Sequence, residues 1–521
     1  MPRQNNAVAG LLVSNAVWNL ARYVINWMVL LVVPPFLLHR LTTNTYATWM
    51  LLLQIATYYS TVDINMQTAV SRFTARSIAQ GDPKDLSVTL SSIMVFLIGL
   101  AVVILVLGLA AAASLGLVFP AIPDALVPSA RLSAALIVCA LAVSLPFVTI
   151  VGAFLGFQRN RVVTIAIVVS KLASGVAMIL AVRFGGALIS LGVCLGATTL
   201  LAPLIYLRAW WGFDGAVKLS FKDARAALVR EFAGYSGALG FVAMSSILMS
   251  GLALPILGIH DFQSVPVYSL AMVYGNMLLI PQAAILAVAL PMLSGRSVDG
   301  NPAAMSDLLL RFARFSSISL VVFTVGLIIA EPLFLRLWIG PVMADKVRLP
   351  AILLLMAQFV GLASHPFRIA VLGVGQVMKT IPAILFEGIA SIVLSLVFVR
   401  WWGGTGVALA ILLASLIGIA AQCLFSMPRT SAIAPRPFAY LLAAFARPLV
   451  AVIPAIVAMI IFWHQALSFG ATIAIGIAVL ALAMIFISYA NLTPEERAAG
   501  YQMVLTKVRR LKGRTAREGK I

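Results

Sequence analysis

Charged residues are scarce in this chain. They make up 10% of its 521 residues, whereas 62% are apolar and the mean hydropathy is +1.07. This composition excludes a soluble globular protein, because such a protein needs a largely polar surface. Apolar runs of about 20 residues, the length of a helix that crosses a bilayer, recur along the chain. Ten-residue segments of alternating polarity, the mark of an outer-membrane barrel, are lacking. The sequence therefore predicts an all-α polytopic membrane protein.

Cysteine, histidine and acidic residues are also few. The three cysteines, Cys139, Cys194 and Cys423, fall inside apolar runs, which excludes a disulfide framework and a cysteine metal motif. There are 16 acidic and 36 basic residues, giving a net charge of +20. In a membrane protein this excess is typical of cytoplasmic loops rich in lysine and arginine, so neither a nucleic-acid partner nor a cofactor is expected.

About fourteen transmembrane spans are predicted from the positions of charges, prolines and loop dipeptides. They lie near residues 10–38, 44–64, 86–112, 131–155, 162–182, 187–207, 236–259, 268–292, 315–335, 350–372, 381–399, 404–426, 448–466 and 470–490. With the N-terminus inside, 27 lysines and arginines fall on the cytoplasmic side and 7 on the opposite side. This asymmetry predicts that both termini are cytoplasmic.

An internal repeat divides the chain. Residues 155–190 match residues 372–407, and a shift of 218 places Gly185–Gly186 on Gly403–Gly404. We therefore expect two six-helix lobes of the same orientation, followed by two further spans. The predicted divisions are an N-lobe (1–207), a basic cytoplasmic linker (208–235), a C-lobe (236–427), spans 13 and 14 (428–490) and a basic amphipathic tail (491–521). The linker and the tail are expected to lie on the anionic inner leaflet.

The first span carries a polar stripe. Asn15, Asn19, Arg22 and Asn26 lie within about 60° of one another at 100° per residue, on a helix that is otherwise apolar. A charge at the centre of a membrane helix costs roughly 2.5–3.5 kcal/mol on insertion scales. The stripe must therefore face the bundle interior or a wet cavity, and the arginine favours a cavity.

Polar residues in other spans leave alternatives open. Gln54 and Tyr58 of span 2, with Thr61 and Asn65, form a stripe that fits either a cavity wall or hydrogen bonds between helices. Lys171 in span 5 is a second buried cation.

Spans 10 and 11 carry the remaining polar candidates, which are His365, Arg368 and Glu387. His365 fits an interior histidine or a proton carrier, and Arg368 could extend its charged end to the cytoplasmic surface. Glu387 could pair with Lys171. The deep cations of the first half suggest an anionic ligand, and the acid of the second half suggests a site for a coupling ion.

One segment carries a family resemblance. Residues 46–82 resemble the polysaccharide-transporter branch of the multidrug/oligosaccharidyl-lipid/polysaccharide exporter superfamily, in the residues Tyr46, Trp49, Asp63, Gln67, Thr68, Ala69, Arg72 and Gly81–Asp82. Ile64–Asn65 depart from the Leu-Gly that is usual there. The resemblance implies a flippase that moves undecaprenyl-diphosphate-linked oligosaccharides across the bacterial inner membrane by alternating access of two lobes.

The resemblance and the polar residues together predict a binding site. Arg22, Lys171 and Arg368 would bind the diphosphate, because a diphosphate needs several charge-assisted contacts to leave the headgroup layer. Asn15, Asn19, Asn26, Gln54 and Tyr58 would contact sugar hydroxyls. Glu387 and His365 are candidates for coupling to a proton or sodium gradient. Other membrane proteins of polysaccharide assembly are candidate partners.

The sequence leaves two alternatives to a flippase. A membrane glycosyltransferase or polymerase would need an acidic motif in an extracytoplasmic loop, and loop 256–267 offers only Asp261. A drug exporter of the same superfamily would bind cations, which Arg22 and Lys171 would repel. The sequence therefore predicts a transporter and not an enzyme.

Overall fold

The computed structural model describes residues 24–81, 83–212, 217, 219–282, 301–431, 433, 435–463 and 469–491. Within these ranges the regular structure is helical, without strands. The helices are α1 (Val24–Arg40), α2 (Thr43–Gln80), α3 (Pro83–Ala113), α4 (Leu115–Val118), α5 (Val127–Ser144), α6 (Val148–Gly156), α7 (Asn160–Arg183), α8 (Leu188–Thr199), α9 (Leu201–Trp211), α10 (Ala226–Ser246), α11 (Ala253–His260), α12 (Val265–Gly275), α13 (Pro302–Ile339), α14 (Pro341–Ala363), α15 (His365–Gly373), α16 (Ile381–Ala421), α17 (Pro437–Leu441), α18 (Arg447–Trp463) and α19 (Phe469–Asn491).

The predicted fold class is confirmed. Each of the fourteen predicted spans coincides with helical residues in the described part of the chain, and nine helical stretches there are long and apolar enough to cross a membrane. The structure also shows that several predicted spans are interrupted helices. Predicted spans 4, 6, 7 and 10 each consist of two helical pieces, whereas spans 11 and 12 form α16, interrupted at Gly403, whose φ is +51°.

The ends of α2 follow from its sequence. The side chain of Thr42 accepts a hydrogen bond from the backbone of Thr45, and the helix ends at Gly81 with φ +77°. A threonine cap and a left-handed glycine are the usual start and stop of a helix. At 1.5 Å per residue, the 38 residues of α2 extend about 57 Å, well beyond a hydrocarbon core of about 30 Å. The C-terminal turns of α2 therefore project from the membrane.

A proline in α1 is compensated by a neighbouring helix. Pro35 has no N–H, so the carbonyl of Leu31 loses its partner within the helix. The indole Nε1 of Trp338 donates to that carbonyl at 2.6 Å. This contact satisfies a backbone group that would otherwise be unpaired in the membrane.

Two glycines let α6 approach α2 closely. A Cβ on Gly152 would lie 2.3 Å from the Val70 side chain, and one on Gly156 would lie 2.7 Å from that of Thr74. The spacing of four residues matches the small-residue motif of membrane helix pairs. Gly192 of α8 repeats this arrangement, because a Cβ there would lie 2.9 Å from the backbone of Ser133 on α5. Close backbone packing thus joins predicted spans 2, 4 and 6.

Gly152→Val should destabilise the protein by at least about 2 kcal/mol, since a buried side chain would be forced into an occupied space. The midpoint of thermal unfolding in detergent and the yield of membrane-inserted protein measure this loss. Gly99→Val on α3 is the matched control, because a Cβ at Gly99 has no atom within 4 Å. An equal effect of both changes would contradict the packing argument.

Two turns of the predicted repeat share their geometry. In the first, Phe157, Gln158 and Arg159 donate to the carbonyls of residues 153, 155 and 154. In the second, Val374, Gly375 and Gln376 donate to those of residues 370, 372 and 371, a shift of 217 throughout. Gln158 and Gly375 both have positive φ, +59° and +72°. The common geometry is what an internal repeat predicts, and the division into two lobes stays a prediction.

The described residues form two compact units. The first comprises residues up to Tyr274 together with Trp338–Leu354 and Ile384–Ala414. The second comprises Gly275–Leu337, Leu355–Ala383 and the described residues from Ser415 onward.

The linker segment lies against the first unit. The side chains of Ser91 and Ser92 on α3 accept hydrogen bonds from the backbone N–H groups of Ser220 and Arg225, at 3.0 and 2.9 Å. Leu219 packs against the apolar cores beneath. In its described residues the segment between α9 and α10 contains only a short 3₁₀ turn, so no amphipathic helix forms there. Residues 492–521 of the predicted tail lie outside the described residues.

Candidate functional site

The predicted stripe of span 1 is only partly described. Asn15, Asn19 and Arg22 lie outside the described residues. Asn26 lies on α1 and is half-buried. Val29 lies on the same helical face, and a Cβ on Gly175 of α7 would be 3.4 Å from its side chain. Asn26 therefore belongs to the face of α1 that contacts α7.

The side chain of Lys171 is exposed, contrary to the burial that the sequence predicts. At 100° per residue it lies on the side of α7 that carries the buried Ser174 and Met178, whereas the exposed Val176 and Leu180 lie on the opposite side. The charge of Lys171 is therefore accessible beside a packed side of the helix.

Asn26 and Lys171 lie at the same level of the first unit. Asn26 lies about one helical turn before Val29 on α1, and Lys171 lies about one turn before Gly175 on α7. Val29 and Gly175 are in contact, and α1 and α7 are predicted to cross the membrane in the same direction. Among the described residues no ion pair joins Lys171 to Glu387. This geometry brings an amide and a cation to one level of neighbouring helices.

The exposed face of α2 carries hydroxyl groups. Thr57, Thr61, Ile64 and Thr68 lie within about 60° of one another, and Ser60 lies beside them. Thr57, Ser60 and Thr68 are exposed and Thr61 is partly exposed. The eight consecutive residues from 45 to 52 are all buried, so the exposed face begins only after them along α2.

Other membrane helices expose a different kind of surface. Many of their exposed residues are apolar, although Lys171 on α7 and Arg400 on α16 are also exposed. The apolar ones include Val102, Val103, Val106 and Leu107 on α3, Val169, Val176 and Leu180 on α7, and Ile389, Val393, Leu396 and Val397 on α16. Of the residues on this face of α2, the predicted stripe of Gln54, Tyr58, Thr61 and Asn65 contained Thr61, and sequence reasoning missed Thr57, Ser60 and Thr68. Their signal was the helical spacing of positions 57, 61, 64 and 68.

Gln54 and Tyr58 contact a different helix. Both donate to the carbonyl of Gly251, from Nε2 at 3.1 Å and from the hydroxyl at 2.5 Å. Pro255, four residues later, leaves this carbonyl without its helical partner. Gly251 also ends a π-helical turn over Ile247–Gly251. In this structure the two side chains therefore join α2 to span 7, and their predicted role in substrate binding stays a prediction.

Glu387 is buried beside the same π-helical turn. It is 4% exposed and shares the buried face of α16 with Ser391 and Ser395. A Cβ on Gly388 would lie 3.0 Å from the side chain of Leu248, so α16 passes close to the turn. The structure thus brings a carboxylate to a place where the backbone is irregular, as found at many functional sites.

The second unit contains a separate polar cluster at the break between α14 and α15. Pro366 frees the carbonyl of Leu362, to which Gln282 donates from Nε2 at 3.4 Å. Ser316 donates to the side-chain oxygen of Gln282 at 2.9 Å. The side chain of Gln282 therefore links two helices through one buried amide.

His365 and Arg368 lie at this break. The hydroxyl of Tyr440 donates to the carbonyl of Ala363 at 2.8 Å. The guanidinium of Arg368 lies near both the His365 ring and the Tyr440 hydroxyl. Arg368 and His365 therefore belong to the second unit, whereas Lys171, Asn26 and Glu387 belong to the first.

Glu331 is a buried carboxylate that sequence reasoning missed. It lies on α13 directly before Pro332 and is 1% exposed. It belongs to no polar stripe, and it was predicted to be near the end of a span. Its only signal was an acidic residue within an apolar run.

Comparison with solved structures identifies the fold. The lipid II flippase MurJ in an inward closed conformation matches with a TM-score of 0.66 and 14% identity, over 92% of this chain and 98% of that one. A multidrug resistance MATE family transporter of the MOP superfamily in an inward-facing conformation matches with a TM-score of 0.63 and 16% identity, over 80% and 95%. A MATE structure in the straight conformation matches at 0.58 and 15%, over 81% and 96%. This chain has the fold of these structures.

No protein-family model and no curated protein matches the chain. The fold is the one that the resemblance of residues 46–82 implies, and the chain is a multi-pass α-helical membrane protein. Its structural neighbours are flippases and transporters rather than enzymes.

Proposed function

We propose that this protein is a flippase that moves a polyprenyl-diphosphate-linked oligosaccharide across the bacterial inner membrane by alternating access. The observation that carries the proposal is Lys171, an accessible cation in the middle of a membrane helix, in a fold shared with a lipid II flippase. A cation within a membrane-spanning helix is costly, so its retention suggests an anionic ligand.

A diphosphate fits this cation. Its oxygens accept charge-assisted hydrogen bonds, which are roughly twice as strong as neutral ones. Lys171 supplies three donors on a flexible stem, and Asn26 at the same level adds amide donors. Arg22, which the sequence places on the polar stripe of predicted span 1, would add a planar fork suited to two phosphate oxygens. The name of the structural neighbour MurJ, a lipid II flippase, supports a lipid-linked substrate.

Coupling to an ion gradient is assigned to Glu387. Its burial and its position beside the π-helical turn of span 7 support this role, because irregular backbone inside a membrane exposes carbonyl groups to ions. Either H⁺ or Na⁺ could bind. His365 and Arg368 form a second polar group, in which Arg368 would contact substrate and His365 would exchange a proton.

The proposed orientation places both termini in the cytoplasm, as the distribution of basic residues predicts. Anionic lipids of the inner leaflet would contact the cytoplasmic basic residues. Other membrane proteins of polysaccharide assembly would receive the flipped glycan on the far side of the membrane.

Drug export is the second candidate, because multidrug transporters share the fold. The positive charge of Lys171 argues against drug export. Lys171 would repel cationic drugs from the site that it lines, whereas it would attract a diphosphate.

Two measurements test the proposal. Deletion of the gene should cause a lipid-linked oligosaccharide to accumulate on the cytoplasmic face, since synthesis continues while translocation stops. Purified protein in liposomes should move a synthetic polyprenyl-diphosphate oligosaccharide across the bilayer, scored by the fraction that an external glycosidase cleaves. Transport of cationic dyes without movement of the glycolipid would favour the drug exporter.

A further inference from the structure

The cytoplasmic end of α10 is attached to α2 and α3. Phe232 of α10 is fully buried, and its ring lies 5.3 Å edge-on from the rings of both Phe73 on α2 and Phe96 on α3. About one turn further along α10, the guanidinium of Arg72 lies 4.4 Å from the centre of the Tyr235 ring. Aromatic pairs and cation–π contacts add to the free energy gained from burial. This part of α10 is therefore packed firmly on two helices of the predicted N-lobe.

Polar contacts reinforce this attachment. Nη1 of Arg76 on α2 lies 2.6 Å from Oε1 of Glu231 on α10. The residues just before α10 are held as well, since the backbone N–H groups of Ser220 and Arg225 donate to serine side chains of α3. We call the contacts of residues 231–235 with α2 and α3 the cytoplasmic anchor.

Three glycines occur in α10 at a spacing of three residues: Gly234, Gly237 and Gly240. They lie away from the packed side of the helix, which carries Phe232 and Leu239. A Cβ on any of the three glycines would have no atom within 4 Å, and none of them has a positive φ. Neither close helix packing nor a left-handed backbone therefore requires glycine at these positions.

Glycine weakens a helix. Relative to alanine, each glycine in a helix interior disfavours the helical state about fivefold, because its backbone loses more freedom on folding. Shortly after Gly240 the regular helix gives way to the π-helical turn Ile247–Gly251, and such turns occur frequently at functional sites. Residues 237–251 are thus a weakened segment of predicted span 7.

Beyond this segment, span 7 packs against α2 again. A Cβ on Gly258 of α11 would lie 2.9 Å from the side chain of Leu51. The carbonyl of Gly251 accepts the hydrogen bonds of Gln54 and Tyr58. Predicted span 7 therefore contacts α2 at both ends, through the cytoplasmic anchor and through α11, with the weakened segment between them.

We propose that residues 237–251 form a flexible joint in span 7, at which the helix bends during alternating access. The cytoplasmic anchor keeps the first part of α10 on α2 and α3, whereas α11 leaves α2 when the extracytoplasmic side opens. Sharp bends of helices occur at glycines and at π-helical turns, and this segment has both. The inference rests on the alternating access of the proposed function, and it is independent of which substrate is moved.

The first test removes the glycines. Gly237→Ala with Gly240→Ala fits the open space and favours the straight helix about fivefold at each position. We expect a higher midpoint of thermal unfolding and, in liposomes, a flux of lipid-linked oligosaccharide that is lower by about tenfold or more. Gly99→Ala is the matched control, because Gly99 lies inside α3 and a Cβ there also has no atom within 4 Å. This control should leave the flux unchanged.

A change to threonine separates flexibility from space. Threonine is larger than alanine but a poorer helix former. A joint that bends predicts that Gly237→Thr with Gly240→Thr retains more flux than the alanine pair. Close approach of another helix in a different conformation predicts the opposite order, because flux would then follow side-chain size. That opposite order, or unchanged flux in the alanine pair, overturns the inference.

The anchor is tested by cross-linking, in protein that carries Cys139→Ala, Cys194→Ala and Cys423→Ala. In this background Arg76→Cys and Glu231→Cys are bridged by a bifunctional thiol reagent with a reducible bond. Flux before and after bridging should be equal, because the anchor does not open during the cycle. Flux that stops on bridging and returns on reduction contradicts the anchor.

Spin labels at Arg230→Cys and His260→Cys, both exposed positions, report directly on the bend between α10 and α11. Double electron–electron resonance in the same cysteine-free background should give a broad distribution of distances, which narrows when Gly237→Ala and Gly240→Ala are added. Equal distributions overturn the inference. This measurement needs no substrate. If the wild-type protein flips no lipid-linked oligosaccharide, the proposed function fails, and the distances still decide on the joint.

Discussion

Lys171→Ala is expected to reduce the flux of lipid-linked oligosaccharide per folded copy by about thirtyfold or more. The estimate follows from the loss of one charge-assisted contact in a site of low dielectric, on the order of 2–5 kcal/mol. The side chain of Lys171 on α7 is exposed, so its charge is available to a ligand. Flux in liposomes, divided by the amount of folded protein, measures the effect.

The level of protein in the membrane separates a binding role from a structural one. Removing a charge from a membrane helix lowers the free-energy cost of insertion, so Lys171→Ala should insert and accumulate normally. Lys171→Arg keeps the charge and should retain part of the flux. Lys222→Ala is the matched control, since Lys222 is an exposed lysine of the segment before α10. Wild-type flux in Lys171→Ala would refute the role of Lys171 in diphosphate binding.

Arg22 extends this prediction from the sequence. If it binds the same diphosphate, Arg22→Ala should abolish transport, whereas Arg22→Lys should rescue only part of it, because lysine lacks the planar fork of arginine. A structural role predicts the reverse, with poor accumulation and normal transport per molecule.

Glu387→Gln should remove any dependence of flux on an ion gradient. The side chain is 4% exposed and lies beside the π-helical turn of span 7. Glutamine keeps the shape and the capacity to accept a hydrogen bond, but it neither binds a proton in this pH range nor carries charge for a cation. Transport with and without an imposed H⁺ or Na⁺ gradient, at a fixed substrate concentration, gives the measurement.

Glu331→Gln serves as the matched change. Glu331 is also a buried carboxylate, 1% exposed, and it lies on α13 in the second unit, whereas Glu387 belongs to the first. Gradient dependence that survives in Glu387→Gln and disappears in Glu331→Gln would transfer the coupling role to Glu331. Loss in both would show that any buried acid affects coupling, and the specific role of Glu387 would then fail.

Some site residues could be predicted because their chemistry is extreme. Lys171 was predicted to be buried because a charge facing lipid is costly, yet its side chain is exposed on α7. Glu387 was predicted on a polar stripe, and it is buried with Ser391 and Ser395. For Glu387 the penalty for exposing an ion to lipid is large enough that one residue indicates which side of the helix is buried.

Weakly polar residues could not be assigned in this way. Thr57 and Thr68 can face lipid or water, because each satisfies its proton on its own helix. Gln54 and Tyr58 have two possible roles, and the contact with Gly251 depends on a proline about 200 residues away in the sequence. Such differences are a few tenths of a kcal/mol to about 1 kcal/mol, and neighbouring helices decide them.

The sequence by itself determined that this is an all-α membrane protein of about fourteen spans, because hydrocarbon admits only segments whose backbone groups are bonded internally. It also determined which segments carry ions. Only the tertiary structure decided which helices meet, through the close approach of Gly152 to Val70 and the donors at the carbonyls of Leu31 and Gly251. These contacts join residues far apart in the chain, and van der Waals packing and hydrogen bonds between helices, which leave no periodicity in the sequence, select them.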